Sequence, residues 1–522
     1  MPSQLTGQEI LAIDAGTQGV ALILWCPQSR QVLGVGDRPY QHDYTPGLPH
    51  GHLEQQAHYW SDAIKLAMAD LREDVLQNTG STIDAVAAIG VTGHMHCMVR
   101  KDANDQKPFG CDMWNDPRGV PESEELTALL GEHIPARWTA CHILARMRSD
   151  PTEWAQATGV TVTSGSIVHD LTGQWVLGPG DASGMFGSLA PDGQIDRDKL
   201  RKIDNLTGNK FTPLEQLVPQ VIPAGQVAGT LTPAGSELLG GLPVGTPVAP
   251  PEGDQQAVLV VAAVDELELA LSAGTSFTGN LPCTTDLKAT GEAVNVLAGP
   301  DGKTMLMVCC RSGTVAFAQY VTGLAKLANQ PFATIADTLT DLAQAATPDA
   351  DGPLLWGFFQ GENVTDLPHA KASLQHLGID AIANPGLLAY LLLESPCLTL
   401  RYGLEQLKPH TGPIKRVVMT GGALKSKDGF APQLYADLLG VPIHANAGDQ
   451  EGSAKGAALL AAYTAAVTAN PTPTPPSFAE FAKSQTAEST DIWQPNMDRH
   501  KALNQRYQRF AEGVTRMQNS LS

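Results

Sequence analysis

Two short runs rich in glycine and hydroxyl groups stand roughly half a chain apart: Asp14-Ala15-Gly16-Thr17-Gln18-Gly19 and Ser272-Ala273-Gly274-Thr275-Ser276. Glycine permits a tight turn, and a tight turn presents backbone N–H groups that can hold phosphate oxygens without lysine. The threonine hydroxyls add donors, and Asp14 offers a hard oxygen suited to a hydrated magnesium ion. Either run alone reads equally well as an ordinary hairpin turn. Together they point to a grip on the terminal phosphates of a nucleotide. The candidate contacts are Gly16, Thr17 and Gln18 in one run, and Gly274, Thr275 and Ser276 in the other.

A third feature is Gly253-Asp254-Gln255-Gln256, preceded by Pro250 and Pro251, which block continuation of the strand at 246–249. An aspartate at a strand end can take a proton from an attacking hydroxyl. Read alone, Asp254 is more simply a residue capping the helix that follows. Gly93-His94-Met95-His96-Cys97 follows an apolar strand. Its alternating His and Met could be metal ligands, but no Cys or carboxylate cluster stands at a recognised ligand spacing, so a polar substrate contact is the better reading. Trp114-Asn115-Asp116-Pro117-Arg118 gathers an aromatic ring, an amide, an acid and a base, a set suited to several sugar hydroxyls at once. Its plain alternative is an Asp–Arg pair in a turn. Gly421-Gly422-Ala423, with Gly452 and Gly456 further on, would let a flat ring approach the backbone, although close helix–strand packing is the better explanation of that motif alone.

These residues need elements to position them. Apolar runs at 10–13 and 20–25 flank the first glycine turn, and runs at 267–271 and 277–281 flank the second; each pattern is a β-hairpin. A helix is expected over 57–75 and a buried strand over 85–91. In the second half, a strand over 414–420, a helix over 430–439 and an Ala-rich buried helix over 453–467 follow the same logic. Pro396 should kink the apolar helix over 387–407. The Pro-rich stretch 470–476 reads as a stiff linker, and an amphipathic helix is expected over 497–517.

The 522-residue length exceeds one ordinary domain, so two are expected. A formal net charge of −20 argues against a nucleic-acid or anionic-membrane surface, both of which need clustered Lys and Arg. No apolar run approaches the ~20 residues of a bilayer span, and the first residues lack a secretion signal. The eight cysteines form no Cys-x-x-Cys pair, so the spacing indicates neither a zinc site nor a redox motif. A reduced, cytoplasmic protein is the simplest expectation.

Taken in order, the motifs resemble the FGGY carbohydrate kinases, most closely the xylulokinases, over nearly the whole chain. The resemblance implies an α/β protein of two ribonuclease-H-like, actin/hexokinase-type domains around an interdomain cleft. It implies a sugar-binding domain over 1–250, an ATP-binding domain over 251–480, and a C-terminal helix over 481–522 packed back on the body. Asp254 falls on the family's catalytic base and Gln255 on the neighbouring amide that holds the sugar. Met95-His96 resembles the Met-His pair that binds the ketose, and Trp114, Asn115, Asp116 and Arg118 resemble the Trp-Asn-Asp-x-Arg segment. The implied reaction is ATP-dependent phosphorylation of a ketose's terminal hydroxyl, D-xylulose foremost, with Mg²⁺ near Asp14 and the adenosine end held by Gly421, Gly422, Ala423, Glu451 and Gly452. A homodimer, common in that family, is compatible with it. The departures are Ala21 where many relatives have Lys, His94 and Cys97 where xylulokinases have Gln and Gly, and Asn363 in place of an Arg.

Overall fold

In the computed structural model, residues 5–102, 109–285, 287, 291–379, 383–445, 452–471, 475–486 and 491–521 are described. Two large sheets repeat one plan. In the first, strands Ile10–Ala15, Gly19–Cys26 and Gln31–Pro39 form an antiparallel meander, and Ala88–Gly93 runs parallel to the first of them. In the second, Glu268–Ala273, Phe277–Pro282 and Thr304–Cys310 form the meander, and Arg416–Thr420 lies parallel to its first strand. This recurrence is the structural counterpart of the two glycine runs.

The first strand is buried on both faces, as parallel neighbours require. Leu11, Ile13 and Ala15 face a core that includes Trp60, Ile64 and Leu71 of helix Ala57–Thr79. Ile10 and Ala12 face the opposite way, onto the Ala-rich helix Gly452–Ala469. Small residues set how closely that helix approaches: a Cβ on Gly456 would lie 2.2 Å from the carbonyl oxygen of Ala257. Gly456 is therefore used in helix-to-helix packing. In the second half, Leu269, Leu271 and Phe277 pack with helices Pro385–Thr411 and Phe430–Leu439.

Helix Pro385–Thr411 continues through Pro396, where the sequence suggests a kink, and through Pro409. Burial explains its persistence: residues 389–400 are all buried, and their packing outweighs the ~3 kcal/mol a proline costs inside a helix. The last helix, Met497–Leu521, is pinned to it by Arg506, whose guanidinium meets Glu394 at 2.6 Å through both oxygens, with each side chain 1% exposed. Among the described residues, no helix is long and apolar enough to cross a membrane.

Candidate active site

Three parallel strand ends meet at one edge of the first sheet. Asp14 and Ala15 pair with Thr92 and Gly93, and these pair in turn with Glu252 and Gly253. The chain therefore leaves the sheet at three adjacent points: into the Gly16 turn, into His94-Met95-His96, and into Asp254. The crevice outside the carboxyl ends of parallel strands is where open α/β sheets bind ligands.

Asp254 is the first residue of helix Asp254–Ala262 and is capped by Gly253. Burial pushes its carboxyl up to about 6, against the opposing pull of His94 and of the surrounding amides. The residue is half-buried. Gln255, next to it, accepts a 3.2 Å hydrogen bond from Asn280 of the strand that leaves the second glycine turn. Met95 is 4% exposed and lies against Gly253, where a Cβ would come within 2.3 Å of the Met95 side chain.

His96 is 5% exposed and adopts φ +69°, a left-handed conformation that a non-glycine residue holds only under strong local constraint. Its ring stacks on Trp138 at 5.7 Å, and its Nδ1 lies 3.0 Å from the Gly184 carbonyl. A carbonyl can only accept, so Nδ1 carries the proton and Nε2 is left as an acceptor. Burial, helped by Arg137, holds the imidazole down at about 3, so it is neutral at working pH.

The carbonyls of the first turn are taken from behind. Tyr40 donates its hydroxyl to Gly16 at 2.9 Å, Gln55 its amide to Thr17 at 2.8 Å, and the His94 Nδ1 reaches Ala15 and Gly16 at 3.2 and 3.3 Å. Gln18 accepts from the amide of Tyr40 at 3.0 Å. The second turn is backed similarly, with the Gly313 amide donating to Thr275 and the Thr314 amide and hydroxyl to Gly274, at 2.8–2.9 Å. Tyr40, Gln55, Gly313 and Thr314 carried no signal in the sequence, because support from behind a loop comes from strands remote along the chain.

Trp114 is 37% exposed and donates to the Thr17 hydroxyl at 3.3 Å, which brings its segment beside the first turn. Asn115 donates to the Tyr44 hydroxyl at 3.0 Å. Asp116 and Arg118 are engaged in an ionic network instead. Arg118 meets Asp116 at 2.6 Å, Glu54 at 2.8 Å and Asp112 at 3.2 Å, and Arg146 meets the last two at 2.6 and 2.7 Å. The plain Asp–Arg alternative describes what these two side chains do here.

At the other end, Ser272 pairs with Thr420, so the second turn and Gly421-Gly422-Ala423 leave neighbouring parallel strands. Gly421 has φ +97° and lies against Ala273, where a Cβ would come 2.8 Å from the carbonyl oxygen. Around Gly422 and Gly452 a Cβ would meet nothing within 4 Å, which leaves open space for a flat group. Glu451 lies outside the described residues. Asp14 is half-buried at its strand end, and a single carboxylate oxygen there suits magnesium held largely through its own waters.

The sequence spacing also concealed one cluster. His94, Cys97 and Cys111 are all buried, with their ligand atoms within 4.8 Å of one another. Cys111 arrives by antiparallel pairing of Met98–Asp102 with Phe109–Asp112, which no linear motif announces.

Two family models together span most of the chain: the FGGY carbohydrate kinase N-terminal domain over 9–261 and the C-terminal domain over 269–465. The chain is 25% identical over 450 residues to a xylulose kinase of Haemophilus influenzae, covering 83% of this chain and 86% of that one. It is 24% identical over 468 residues to an autoinducer-2 kinase of Salmonella typhimurium, covering 84% and 83%. In fold it is similar to a xylulose kinase structure from Brucella ovis, with a TM-score of 0.81 at 21% identity over 99% and 100% of the two chains. The two-domain α/β architecture, the hydroxyl-phosphorylating class of chemistry and the matched residues agree: this chain belongs to the FGGY family of carbohydrate kinases.

Proposed function

We propose that the chain transfers the γ-phosphoryl group of ATP to the terminal hydroxyl of a ketose, with D-xylulose to D-xylulose 5-phosphate as the leading reaction. The observation that carries the reading is Asp254, a carboxylate raised to about 6, one strand away from Met95-His96 and two from the first glycine turn. On this reading residues 1–250 hold the sugar and residues 251–480 the nucleotide.

The acceptor hydroxyl attacks the γ-phosphorus in line as the bond to the ADP oxygen breaks, and its proton passes to a carboxylate oxygen of Asp254. The neutral His96 offers Nε2 to a sugar hydroxyl, Met95 fixes the backbone behind the base, and Gln255 orients the sugar beside it. Trp114 supplies a face for the sugar at its link to Thr17. The amides and hydroxyls of Gly16, Thr17, Gln18, Gly274, Thr275 and Ser276 hold phosphate oxygens, while the carbonyls of both turns are engaged elsewhere. Gly421, Gly422, Ala423 and Gly452 leave room for the adenosine end. Magnesium held through water at Asp14 would neutralise phosphate charge.

A coupled ADP-release screen over pentuloses, heptuloses, pentitols, hexoses and glycerol tests the reading. D-Xylulose is expected to give the highest kcat/KM. A different ketose or polyol, such as ribulose, sedoheptulose or a glycerol-like acceptor, is the second reading, favoured by His94 and Cys97 at the acceptor end and by Asn363, which is engaged with Glu292 at 3.1 Å. Silence across the panel with ATP binding retained would leave a sugar-binding homologue without turnover and overturn both.

A further inference from the structure

We propose that His94, Cys97 and Cys111 bind a soft divalent cation of the zinc class, directly beneath the first glycine turn. The three residues are 3%, 0% and 0% exposed. Zinc bonds of ~2.3 Å to sulfur and ~2.0–2.1 Å to nitrogen place tetrahedral donors roughly 3.5–3.7 Å apart. The present donors, within 4.8 Å of one another, reach that geometry by side-chain adjustment.

The protonation pattern suits a metal. His94 Nδ1 faces two carbonyls, at 3.2 Å (Ala15) and 3.3 Å (Gly16), so it keeps its proton, and Nε2 is the nitrogen that would bind the ion, giving up any proton it carries in the metal-free chain. A metal-bound histidine fixed through its other nitrogen by a backbone carbonyl is the usual outer-shell arrangement. The Nε2 lies 2.8 Å from the Thr163 hydroxyl, which also lies 3.0 Å from the Cys97 sulfur. That hydroxyl is a fourth donor at hand, an oxygen. The Cys97 sulfur further accepts the Thr163 amide at 3.3 Å, at the start of helix Thr163–Thr172, where a thiolate is favoured.

Charge and softness narrow the ligand. Two thiolates balance a divalent cation, so the complex adds no net charge to a buried region that already holds Asp181 and Glu252. Two sulfurs and an imidazole select zinc over magnesium or calcium, which prefer oxygen. On binding, both thiols lose their protons to solvent and no electrons move. The ion would fix the backbone between the first turn and Met95-His96, apart from the reacting atoms.

The test uses the full, tag-free chain, reduced and dialysed free of loosely held metal. Elemental analysis should find one zinc per chain. Titration of the metal-free protein with Co²⁺ should give a sulfur-to-cobalt charge-transfer band and strong tetrahedral d–d bands, both displaced by Zn²⁺. Cys111→Ser should lose about half of the charge-transfer band, one of two thiolates being gone. Should that variant fail to fold, zinc protection of wild-type thiols from alkylation decides, and Cys97 and Cys111 are the pair expected to be shielded. A folded, reduced protein that retains no zinc and gives only weak octahedral cobalt bands overturns the proposal. Protection of other cysteines, or a Cys97–Cys111 disulfide in place of bound metal, does the same.

Discussion

A base that accepts a proton from a sugar hydroxyl must itself be ionised, and Asp254 is enclosed enough for burial to raise its carboxyl to about 6. The groups facing it are His94, which favours its charge, and Asp181, a second carboxyl that burial, with the Asp254 charge adding to it, holds well above its ordinary value. The acid limb of kcat/KM should therefore fall tenfold per pH unit below about 6. An unperturbed aspartate would place that limb near pH 3.9. His96, neutral down to about 3, should contribute no second limb in the working range. A pH profile in which kcat/KM stays flat down to pH 5 would contradict the assignment. At this scale the candidate residues were legible in the sequence, but their partners were not. Asp254, Met95 and the glycine turns stand at strand ends readable from apolar runs. The engagement of Asp116 and Arg118 with Glu54, Asp112 and Arg146 depends on side chains from three separate stretches of chain.

Elements set how closely the loops approach one another. Gly421 adopts a conformation that is essentially glycine's alone, and its Cβ position is occupied by Ala273 of the strand entering the second turn. Gly421→Ala should cost about 1–3 kcal/mol and raise the KM for ATP more than that for the sugar. A thermal melt and separate KM measurements check both, and an unchanged KM for ATP would contradict placement of the turn at the nucleotide. A buried ion pair anchors the C-terminal helix. Arg506 meets Glu394 and also donates to the carbonyls of Asp349 and Pro353. Arg506→Ala leaves a buried carboxylate uncompensated and should destabilise by about 3–5 kcal/mol, read in a denaturant melt. The helix was readable from its amphipathic spacing; its anchor was not, since Glu394 lies 112 residues away. The Ala-rich helix was readable too, but small residues alone do not say that its partners are the first sheet and the Asp254 helix. Pro396 does not end its helix, because burial outweighs the local preference.

At the scale of the whole molecule, the repeated sheet plan places the two glycine turns on separate halves, and specific bonds tie those halves together. Arg137 reaches Asn295 at 2.9 Å, His133 meets Glu292 at 2.9 Å, and Ser183 receives the Ala298 amide at 2.8 Å. The duplication could be read from the two glycine runs and their flanking strands, because hairpins are local. These cross-ties could not, because each joins residues more than a hundred positions apart. The most direct test of the central claim is turnover of Asp254→Ala beside the wild type, with sugar binding followed by calorimetry. Loss of a general base predicts a fall in kcat of roughly 10²–10⁴-fold while the acceptor sugar still binds. A variant that phosphorylates the sugar at close to the wild-type rate would contradict the account.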